Sequence, residues 1–278
     1  MELSEIGTWS EAKLEIVRKY GKAYSTILHN QPGLRHAYID AFAGAGAYLS
    51  KTTGGFVLGS PLNALEVKPP FEQHYFIDID HVKVNTLRTF VGERPDVHVY
   101  EGDCNELLVD QIFPRVRYED HWRGLCLLDP YGLHLDWKVI ETAGKMGSVE
   151  IFLNFPMLDA NRNALLLDPS KADRRQVARL TRFWGDESWR GVVYRTDEVF
   201  KVEYKVRASY SALVAAFRRR LEEVAGFEYV PEPVVMRTMG SSEPILYYLF
   251  FASPNQTGAK IVGEIFDKYR SGDQGTLF

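Results

Sequence analysis

The chain has 278 residues, of which 45% are hydrophobic and 13% aromatic, and its formal net charge is −4. That length accommodates one large α/β domain or two small ones with a sizeable core, and the net charge is not that of a typical nucleic-acid-binding domain. No window approaches the roughly 18 uncharged apolar residues of a membrane span, and early charges such as Glu2 and Glu5 are atypical of a secretory signal. With only two cysteines, we expect free thiols and a cytoplasmic protein.

The first half of the chain alternates between helix-like and strand-like segments. Apolar residues at near-helical spacing predict a helix over residues 11–29, which leads into a buried strand over residues 37–41. Ser60 followed by Pro61 is typical of a helix N-cap and first turn. Further helices are predicted over residues 61–67, 82–91 and 137–143, and further strands over 74–80, 97–100, 125–128 and 149–154. This alternation predicts a parallel sheet with right-handed crossovers.

The second half is less regular. Helices are predicted over residues 164–184, 208–224 and 259–269. Two strands, over residues 234–238 and 245–251, are joined by a turn at 240–242 and are therefore expected to be antiparallel. We expect one domain over residues 1–278, in which residues 157–207 form a helical insertion that serves as a substrate-recognition element or a cap.

The stretch from residue 171 to 195 is rich in arginine. Its basic residues either contact a nucleic-acid backbone or belong to a solvated helix surface. Phe183, Trp184 and Trp189 in the same stretch either stack on unpaired bases or fill the core.

A glycine turn follows the first strand. Asp40 ends that strand, and Gly44 and Gly46 lack side chains, so that a ligand can approach the backbone closely. We expect a helix to begin near this turn and to offer free N–H groups. The turn is neither a P-loop nor a complete dinucleotide-binding pattern, because Leu49 occupies the position of the last glycine. On its own, the turn fits a nucleotide-like ligand and a plain tight turn equally well.

Polar residues follow the successive strands of the predicted sheet. Asp78 ends the second strand, with Asp80 as the near alternative, and Asp103, Asp129 and Asn154 follow or end the next three. Ligands of parallel sheets bind beyond the carboxyl ends of the strands. Asp78 is placed to accept hydrogen bonds from ribose hydroxyls, and Asp103 from an adenine amino group. Such a succession favours ligand binding over isolated turn or N-cap roles.

Together these motifs resemble the class I methyltransferases that use S-adenosylmethionine. The Asp-x-Phe-x-Gly-x-Gly form of residues 40–46 is similar to that of the amino-methylating DNA and RNA enzymes. The match is closer to the bacterial three-Cys-motif partner (TcmP) family and spans about residues 12–163. The pieces that support it are Lys13, Tyr20 and Tyr24, the segments 38–44 and 59–61 (Gly-Ser-Pro), residues 128–132 (Leu-Asp-Pro-Tyr-Gly) and residues 154–156 (Asn-Phe-Pro).

The resemblance implies a Rossmann-like α/β fold with helices on both faces of a seven-stranded, mostly parallel sheet. Its strand order would be 3-2-1-4-5-7-6, with residues 245–251 as the antiparallel seventh strand. The cofactor would be S-adenosyl-L-methionine, with its methionine part at Asp40 and the glycine turn, its ribose at Asp78 and its adenine at Asp103. The residues assigned to cofactor binding are Asp40, Phe42, Ala43, Gly44, Gly46, Asp78, Asp103 and Cys104.

Amino-methylating enzymes carry a D/N-P-P-Y/F tetrapeptide that accepts the protons of the amine and stacks on the base. This chain has Asp129-Pro130-Tyr131-Gly132, which keeps the acid and the first proline. Asp129, Pro130 and Tyr131 are the candidate catalytic residues, with Tyr131 stacking one position early. The alternative is a strand-ending turn that is shaped by proline and glycine.

Asn154 and Arg162 are the candidate substrate-binding residues. Asn154, with the Phe-Pro that follows it, forms a wall of the substrate pocket or simply ends the fifth strand. No Pro-Cys pair is present for cytosine C5 methylation, and the histidine and cysteine spacings predict no metal site.

Three functions fit these observations. The first is a methyltransferase that uses S-adenosylmethionine and acts on an amino group of a nucleic-acid base. The second is a catalytically silent methyltransferase-fold protein that binds a three-Cys-motif partner, and the third is a small-molecule methyltransferase. The partners considered are therefore nucleic acid and a three-Cys-motif protein, with no membrane; the sequence gives no indication of oligomeric state.

Overall fold

The computed structural model describes residues 4–198, 203–206, 209–237 and 244–271. Its strands are β1 (Glu5–Ile6), β2 (Arg35–Asp40), β3 (Ala47–Ser50), β4 (Phe56–Leu58), β5 (Gln73–Asp78), β6 (Val97–Glu101), β7 (Trp122–Leu128), β8 (Val149–Phe155), β9 (Tyr194–Thr196), β10 (Glu203–Lys205), β11 (Val234–Arg237) and β12 (Ile245–Ala252). Its α-helices are α1 (Thr8–His29), α2 (Ser60–Leu65), α3 (His81–Val91), α4 (Cys104–Leu107), α5 (Trp137–Met146), α6 (Met157–Asn163), α7 (Arg174–Trp184), α8 (Trp189–Val193), α9 (Ser209–Glu223) and α10 (Gln256–Arg270).

A seven-stranded sheet organises the molecule, with neighbouring strands in the order β6-β5-β2-β7-β8-β12-β11. The five strands from β6 to β8 are parallel, whereas β12 is antiparallel to both β8 and β11. If these seven strands are numbered along the chain, the order is 3-2-1-4-5-7-6. The predicted Rossmann-like α/β fold is confirmed, including the antiparallel seventh strand.

The two faces of the sheet carry separate hydrophobic clusters because side chains alternate along each strand. On β2, Ile39 packs into the cluster beneath α5 and α9, whereas Tyr38 packs into the cluster beneath α1 and α10. On β8, Leu153 and Phe152 divide in the same way. Helices therefore cover both faces, and the carboxyl ends of the parallel strands meet at one edge.

The predicted helix near the glycine turn is present as α2, but it does not follow the turn directly along the chain. The chain instead enters β3, which forms a hairpin with β4 and pairs on its other side with β1. The hairpin returns to the turn, where the Gly59 N–H donates to the Gly46 carbonyl at 2.7 Å. Helix α2 begins there, with Gly59 as its N-cap, while the side chain of Ser60 contacts Asp40. Ser60 is therefore not the N-cap that the sequence predicts.

The second half contains an unpredicted antiparallel strand pair, β9 and β10, and one predicted helix is shorter than expected. The predicted helix over residues 164–184 begins only at Arg174, because Asp173 caps α7 and Pro169 starts a separate 3-10 turn. The antiparallel pair β11 and β12 is confirmed, although Thr238 and the predicted turn at 240–242 lie outside the described residues. That residues 157–207 act as an insertion stays a prediction. In the described ranges, no helix combines the length and apolar character needed to cross a membrane.

Candidate functional site

The glycine turn bends back onto the end of β5. Gly44 and Gly46 have φ angles of +65° and +86°, in the left-handed region that side-chain-bearing residues rarely adopt. The Gly44 N–H donates to Asp78 Oδ2 at 2.8 Å, and the Ala43 N–H donates to the Ile77 carbonyl at 2.8 Å. The bend and Asp78 are therefore one structural unit.

Asp40 lies under this bend and is fully buried. Its Oδ1 accepts from the Phe42 N–H at 3.2 Å, but its Oδ2 is buried and has no hydrogen-bond partner among the described residues. Burial raises the pKa of Asp40 to about 7; Ser60 and the Phe42 N–H oppose this shift, and the charges of Asp129 and Asp78 add to it. A buried oxygen without a donor is uncommon in folded proteins, and it can accept a hydrogen bond from a group that reaches it.

The structure separates the two candidate carboxylates at the end of β5. Asp80 is the N-cap of α3 and accepts from the N–H groups of Val82 and Lys83 at 2.9 and 3.2 Å. Asp78 is the last residue of β5 and faces the glycine bend. Asp78 is therefore the candidate that belongs to the site. Between them lies Ile79, an apolar side chain that is 75% exposed and that the sequence analysis did not single out.

Asp103 and Cys104 lie one strand further out. The Gly102 N–H donates to the Asp78 carbonyl at 3.1 Å, which places the start of α4 beside Asp78. Asp103 is exposed and caps α4 by accepting from the Asn105 N–H at 2.9 Å. The Cys104 thiol points into the core, where burial raises its pKa to about 12. Contact of either residue with adenine stays a prediction.

Asp129 is held from two directions. Its Oδ2 forms an ion pair with Lys13 of α1, and its Oδ1 accepts from Asn154 Nδ2 at 2.9 Å. Burial alone would lower the pKa of Lys13, but Asp129 and Tyr247 outweigh it, so the pKa is raised and the lysine stays charged. The Lys13 ammonium also lies 5.2 Å from the centre of the Tyr247 ring. Lys13 and Asp129 are 10% and 24% exposed, so this pair is largely shielded from water.

The amide orientation of Asn154 follows from the same contacts. Its Nδ2 donates to both Asp129 and the Pro130 carbonyl, the latter at 3.3 Å, so its Oδ1 faces away from them. That Oδ1 is buried and has no partner among the described residues. Asn154 and Asp40 therefore each present an unpartnered acceptor near the carboxyl edge of the sheet.

Two residues near these carboxylates were missed as site residues. Lys13 entered only as a supporting position of the family resemblance, although a charged residue inside the apolar stripe of α1, beside Ile16, Val17 and Tyr20, is a usable signal. Tyr48 was missed because the hairpin was not predicted. A side chain at Gly44 would collide with its hydroxyl. Burial raises the pKa of Tyr48 to about 12, with further contributions from Asp40 and Asp129, so this hydroxyl is a donor at neutral pH.

The remaining predicted residues differ in exposure. Pro130 is buried, whereas the Tyr131 side chain is 99% exposed directly after it. Arg162 is exposed on α6 and forms no ion pair with a described residue. Their assigned roles stay predictions.

The aromatic residues of the arginine-rich stretch fill the core, which confirms that alternative. Phe183, Trp184 and Trp189 are each no more than 1% exposed. In the part of the chain that the structure describes, no three histidine, cysteine, aspartate or glutamate side chains gather where they would hold a metal ion.

No protein-family model matches this chain, and no curated protein matches its sequence. Its structure is similar to protein LPL1258 from Legionella pneumophila str. Philadelphia 1, with a TM-score of 0.54 and 11% identity over 93% of this chain and 91% of that one. The DszA carbon methyltransferase is also similar, with a TM-score of 0.45 and 15% identity over 87% of this chain and 53% of that one. The N-methyltransferase NodS from Bradyrhizobium japonicum WM9 has a TM-score of 0.41 and 9% identity over 88% of this chain and 97% of that one. Sequence identities this low show a similar fold and nothing more. The strand order 3-2-1-4-5-7-6 is that of the class I methyltransferase fold.

Proposed function

We propose that the protein is an S-adenosylmethionine-dependent methyltransferase whose donor site lies at the Gly44 bend. The observation that carries this proposal is the buried Asp40 carboxylate, whose Oδ2 has no hydrogen-bond donor in the described part of the chain and lies beside a bend that Asp78 holds in place. A cationic amino group would supply that donor, and a carboxylate with a pKa of about 7 ionises readily once such a charge is near.

The residues present fit the two ends of this cofactor. Asp40 and the backbone from Ala43 to Gly46, with the half-buried Phe42, would hold its methionine part. Asp78 would accept from the ribose, while Asp103 and the start of α4 at Cys104 would border the adenine. When bound, the cofactor supplies an electrophilic methyl group on a sulfonium.

The protein's own part in catalysis is to orient the acceptor and to receive its proton. Asp129 lies at the carboxyl end of the central strand β7, and Lys13 and Asn154 fix its carboxylate in one orientation. Each carboxylate oxygen retains a lone pair that can accept an N–H of the acceptor. The unpartnered Oδ1 of Asn154 offers a second acceptor.

As the finer proposal, the acceptor is an amino group of a nucleic-acid base. The exposed Tyr131 ring beside Asp129 supports a planar acceptor. Arg162, Arg174 and Arg175 are exposed on α6 and α7 without ion pairs to described residues, and they supply positive charge for a phosphate backbone. A cytoplasmic location and membership of the three-Cys-motif partner family belong to the same proposal.

Calorimetry with S-adenosylmethionine and S-adenosylhomocysteine tests the donor site. We expect the wild type to bind both ligands and Asp78→Asn to bind them at least about 10-fold more weakly, because hydrogen bonds to a charged group contribute roughly 1.5–3 kcal/mol. Asp80→Asn is the matched control, since asparagine keeps the N-cap of α3, and it should bind like the wild type. If the folded wild type binds neither ligand, the proposal is wrong.

A labelled-methyl assay on total RNA, DNA and protein tests the transfer step. Asp129→Ala should lower turnover by about 100-fold or more while ligand binding stays unchanged, since a positioned proton acceptor contributes about 10²–10⁴ in rate. Transfer at the wild-type rate by this variant would remove Asp129 from the mechanism. Binding of both ligands without transfer to any pool would favour the silent partner protein instead.

A further inference from the structure

The loop after β7 is held on both sides of Tyr131. On one side, Asn154 donates to Asp129 and to the Pro130 carbonyl. On the other side, the Leu133 N–H donates to Asp159 Oδ2 at 3.0 Å. The Tyr131 ring between these anchors is 99% exposed, so no contact with the residues that the structure describes explains a tyrosine here.

The second anchor is an ion pair between two helices of the 157–207 segment. Asp159 of α6 accepts from Arg179 Nη2 of α7 at 3.2 Å, and the two side chains are 21% and 20% exposed. Arg179 Nη1 donates to Gln176 at 2.6 Å, and Nη2 lies 3.1 Å from His134 Nε2. Pairs shielded to this degree are weakened little by salt, and a guanidinium bound at several points has one preferred orientation.

This ion pair occupies the space in which a side chain at position 132 would lie. A Cβ built on Gly132 would be 2.8 Å from Asp159 Oδ2 and 3.0 Å from Arg179 Nη2. The fourth position of the tetrapeptide can therefore not carry an aromatic ring while the pair is formed. The glycine, which the sequence shows only as a departure from the methyltransferase motif, has a steric reason.

A third contact fixes the end of the loop from the opposite side. Asn105 of α4 donates to the His134 carbonyl at 2.9 Å and accepts from the Asp136 N–H at 2.8 Å. The backbone on both sides of Tyr131 is thus tied to β8, α6 and α4. Because the flanking backbone is already held, Tyr131 loses mainly side-chain freedom when a ligand packs against its ring.

We infer that Asp159 and Arg179 form a clamp that holds Tyr131 as the stacking surface for a planar, uncharged face of the methyl acceptor. The inference rests on the proposed function and deepens it. Asp159 and Arg179 are positioning residues, whereas Tyr131 contacts the acceptor. The stacking ring is at the third position of the tetrapeptide because the clamp fills the fourth.

The clamp itself is tested without any ligand, by hydrogen exchange of the Leu133 amide. We expect Asp159→Ala and Arg179→Ala to speed this exchange by about 10-fold or more, because the amide loses its acceptor or the acceptor loses its partner. Arg175→Ala removes an equal charge one turn earlier on α7 and should leave the exchange unchanged. Equal exchange rates of the Leu133 amide in all three variants would overturn the clamp, whether or not the protein binds S-adenosylmethionine.

Gly132→Ala provides a milder second test and a double-mutant cycle. The added methyl group should displace the ion pair and speed the exchange of Leu133 in the wild-type background. With Asp159→Ala already present it should add less than twofold, because the contact with Asp159 is gone and Arg179 has lost the partner that holds it beside position 132. Effects that simply multiply would overturn the clamp, even if one of the alanine variants folds poorly.

Stacking is tested with Tyr131→Trp and adenosine as the probe, after saturation with S-adenosylhomocysteine. Four of the five native tryptophans are no more than 8% exposed, so iodide quenching identifies the signal of the new indole. We expect adenosine to quench the fluorescence of this indole. Adding Asp159→Ala should weaken the apparent affinity for adenosine by about 5-fold or more, while the affinity for S-adenosylhomocysteine stays unchanged. An intact clamp with no adenosine response overturns the stacking role. Failure of S-adenosylhomocysteine to bind refutes the proposed function, and the exchange results still decide the clamp.

Discussion

Two buried carboxylates at opposite ends of the sheet have similar proton affinities and different surroundings. Asp40 ends β2 at the carboxyl edge, and Glu150 lies near the amino end of β8. Burial raises the pKa of each to about 7. Tyr20 donates to Glu150 Oε2 and Ser253 to Oε1, the latter at 3.0 Å, whereas Asp40 Oδ2 has no partner among the described residues.

The comparison shows that a raised carboxyl pKa has two different explanations, a structural carboxylate and a ligand-binding one. A raised carboxyl pKa reports burial, and burial alone does not distinguish a structural acid from a ligand-binding one. The hydrogen bonds make the distinction. The fold satisfies Glu150 with its own hydroxyl groups, while at Asp40 it leaves one oxygen available. We therefore expect changes at Glu150 to affect stability and changes at Asp40 to affect ligand binding.

The largest expected effect is on the pH dependence of stability at Glu150. Its pKa rises from 4.5 to about 7 on folding, so between these values the unfolded chain releases the proton first and the free energy of unfolding falls as pH rises. Glu150→Gln removes this term. Relative to the wild type, its free energy of unfolding should rise by about 3 kcal/mol between pH 4 and pH 8. Urea unfolding across this range checks it, and parallel curves for the two proteins would contradict it.

The second effect is on donor binding at Asp40. Asp40→Asn should weaken S-adenosylhomocysteine binding by about 30-fold, since a charge-assisted hydrogen bond of about 2 kcal/mol is lost. In the wild type, affinity should increase as pH rises through about 7, because the ionised carboxylate is the form that attracts an ammonium group. Calorimetry at several pH values measures both. Glu150→Gln is the matched control, and an equal loss there would remove the distinction between the two acids.

The third effect concerns glycines of α10, the helix beside Glu150. A Cβ at Gly258 would lie 2.5 Å from the Tyr20 hydroxyl and 2.8 Å from Glu150 Oε1, so Gly258→Ala should destabilise by about 2 kcal/mol through overpacking. Gly263→Ala on the same helix has nothing within 4 Å and should stabilise by about 0.5–1 kcal/mol. Opposite shifts in thermal unfolding are expected, and shifts of the same sign would show that Glu150 tolerates crowding.

The smallest effect is at the two thiols. Burial raises the pKa of Cys104 to about 12 and also raises that of Cys126, which lies close to Asp40. Neither thiol should react with iodoacetamide at pH 8 during the time that labels the unfolded protein fully. Asp40→Asn should leave both unreactive if that variant changes binding without loosening the core. Labelling of Cys126 in this variant alone would reveal a structural role for Asp40.

The parallel strands and the positions of the acids were predictable from local patterns in the sequence, whereas the strand order 3-2-1-4-5-7-6 was implied only by the family resemblance. Short apolar runs ended by Asp40, Asp78 or Asp129 identify strand ends, and their alternation with helices predicts a parallel sheet. The hairpin β3–β4 was not predicted, because strands of three or four residues beside a glycine turn carry little periodicity.

The pairing of site residues was not predictable in the same way. Lys13 and Asp129 are 116 positions apart, and no local pattern joins them. The exposure of Tyr131 and the unpartnered oxygens of Asp40 and Asn154 are properties of the packed molecule. Asp80 illustrates the opposite case, since a helix beginning directly after it is a local signal for an N-cap.

The pairing of β1 with β3 couples two elements that carry residues near the site. The Leu49 N–H donates to the Ser4 carbonyl at 3.0 Å, and the Lys51 N–H donates to the Ile6 carbonyl at 2.8 Å. The strand that carries Tyr48 to the glycine bend is thereby hydrogen-bonded to residues just ahead of α1, the helix that carries Lys13. A substitution that unpairs β1 from β3 would therefore disturb the positions of both side chains together, although β1 itself contributes neither.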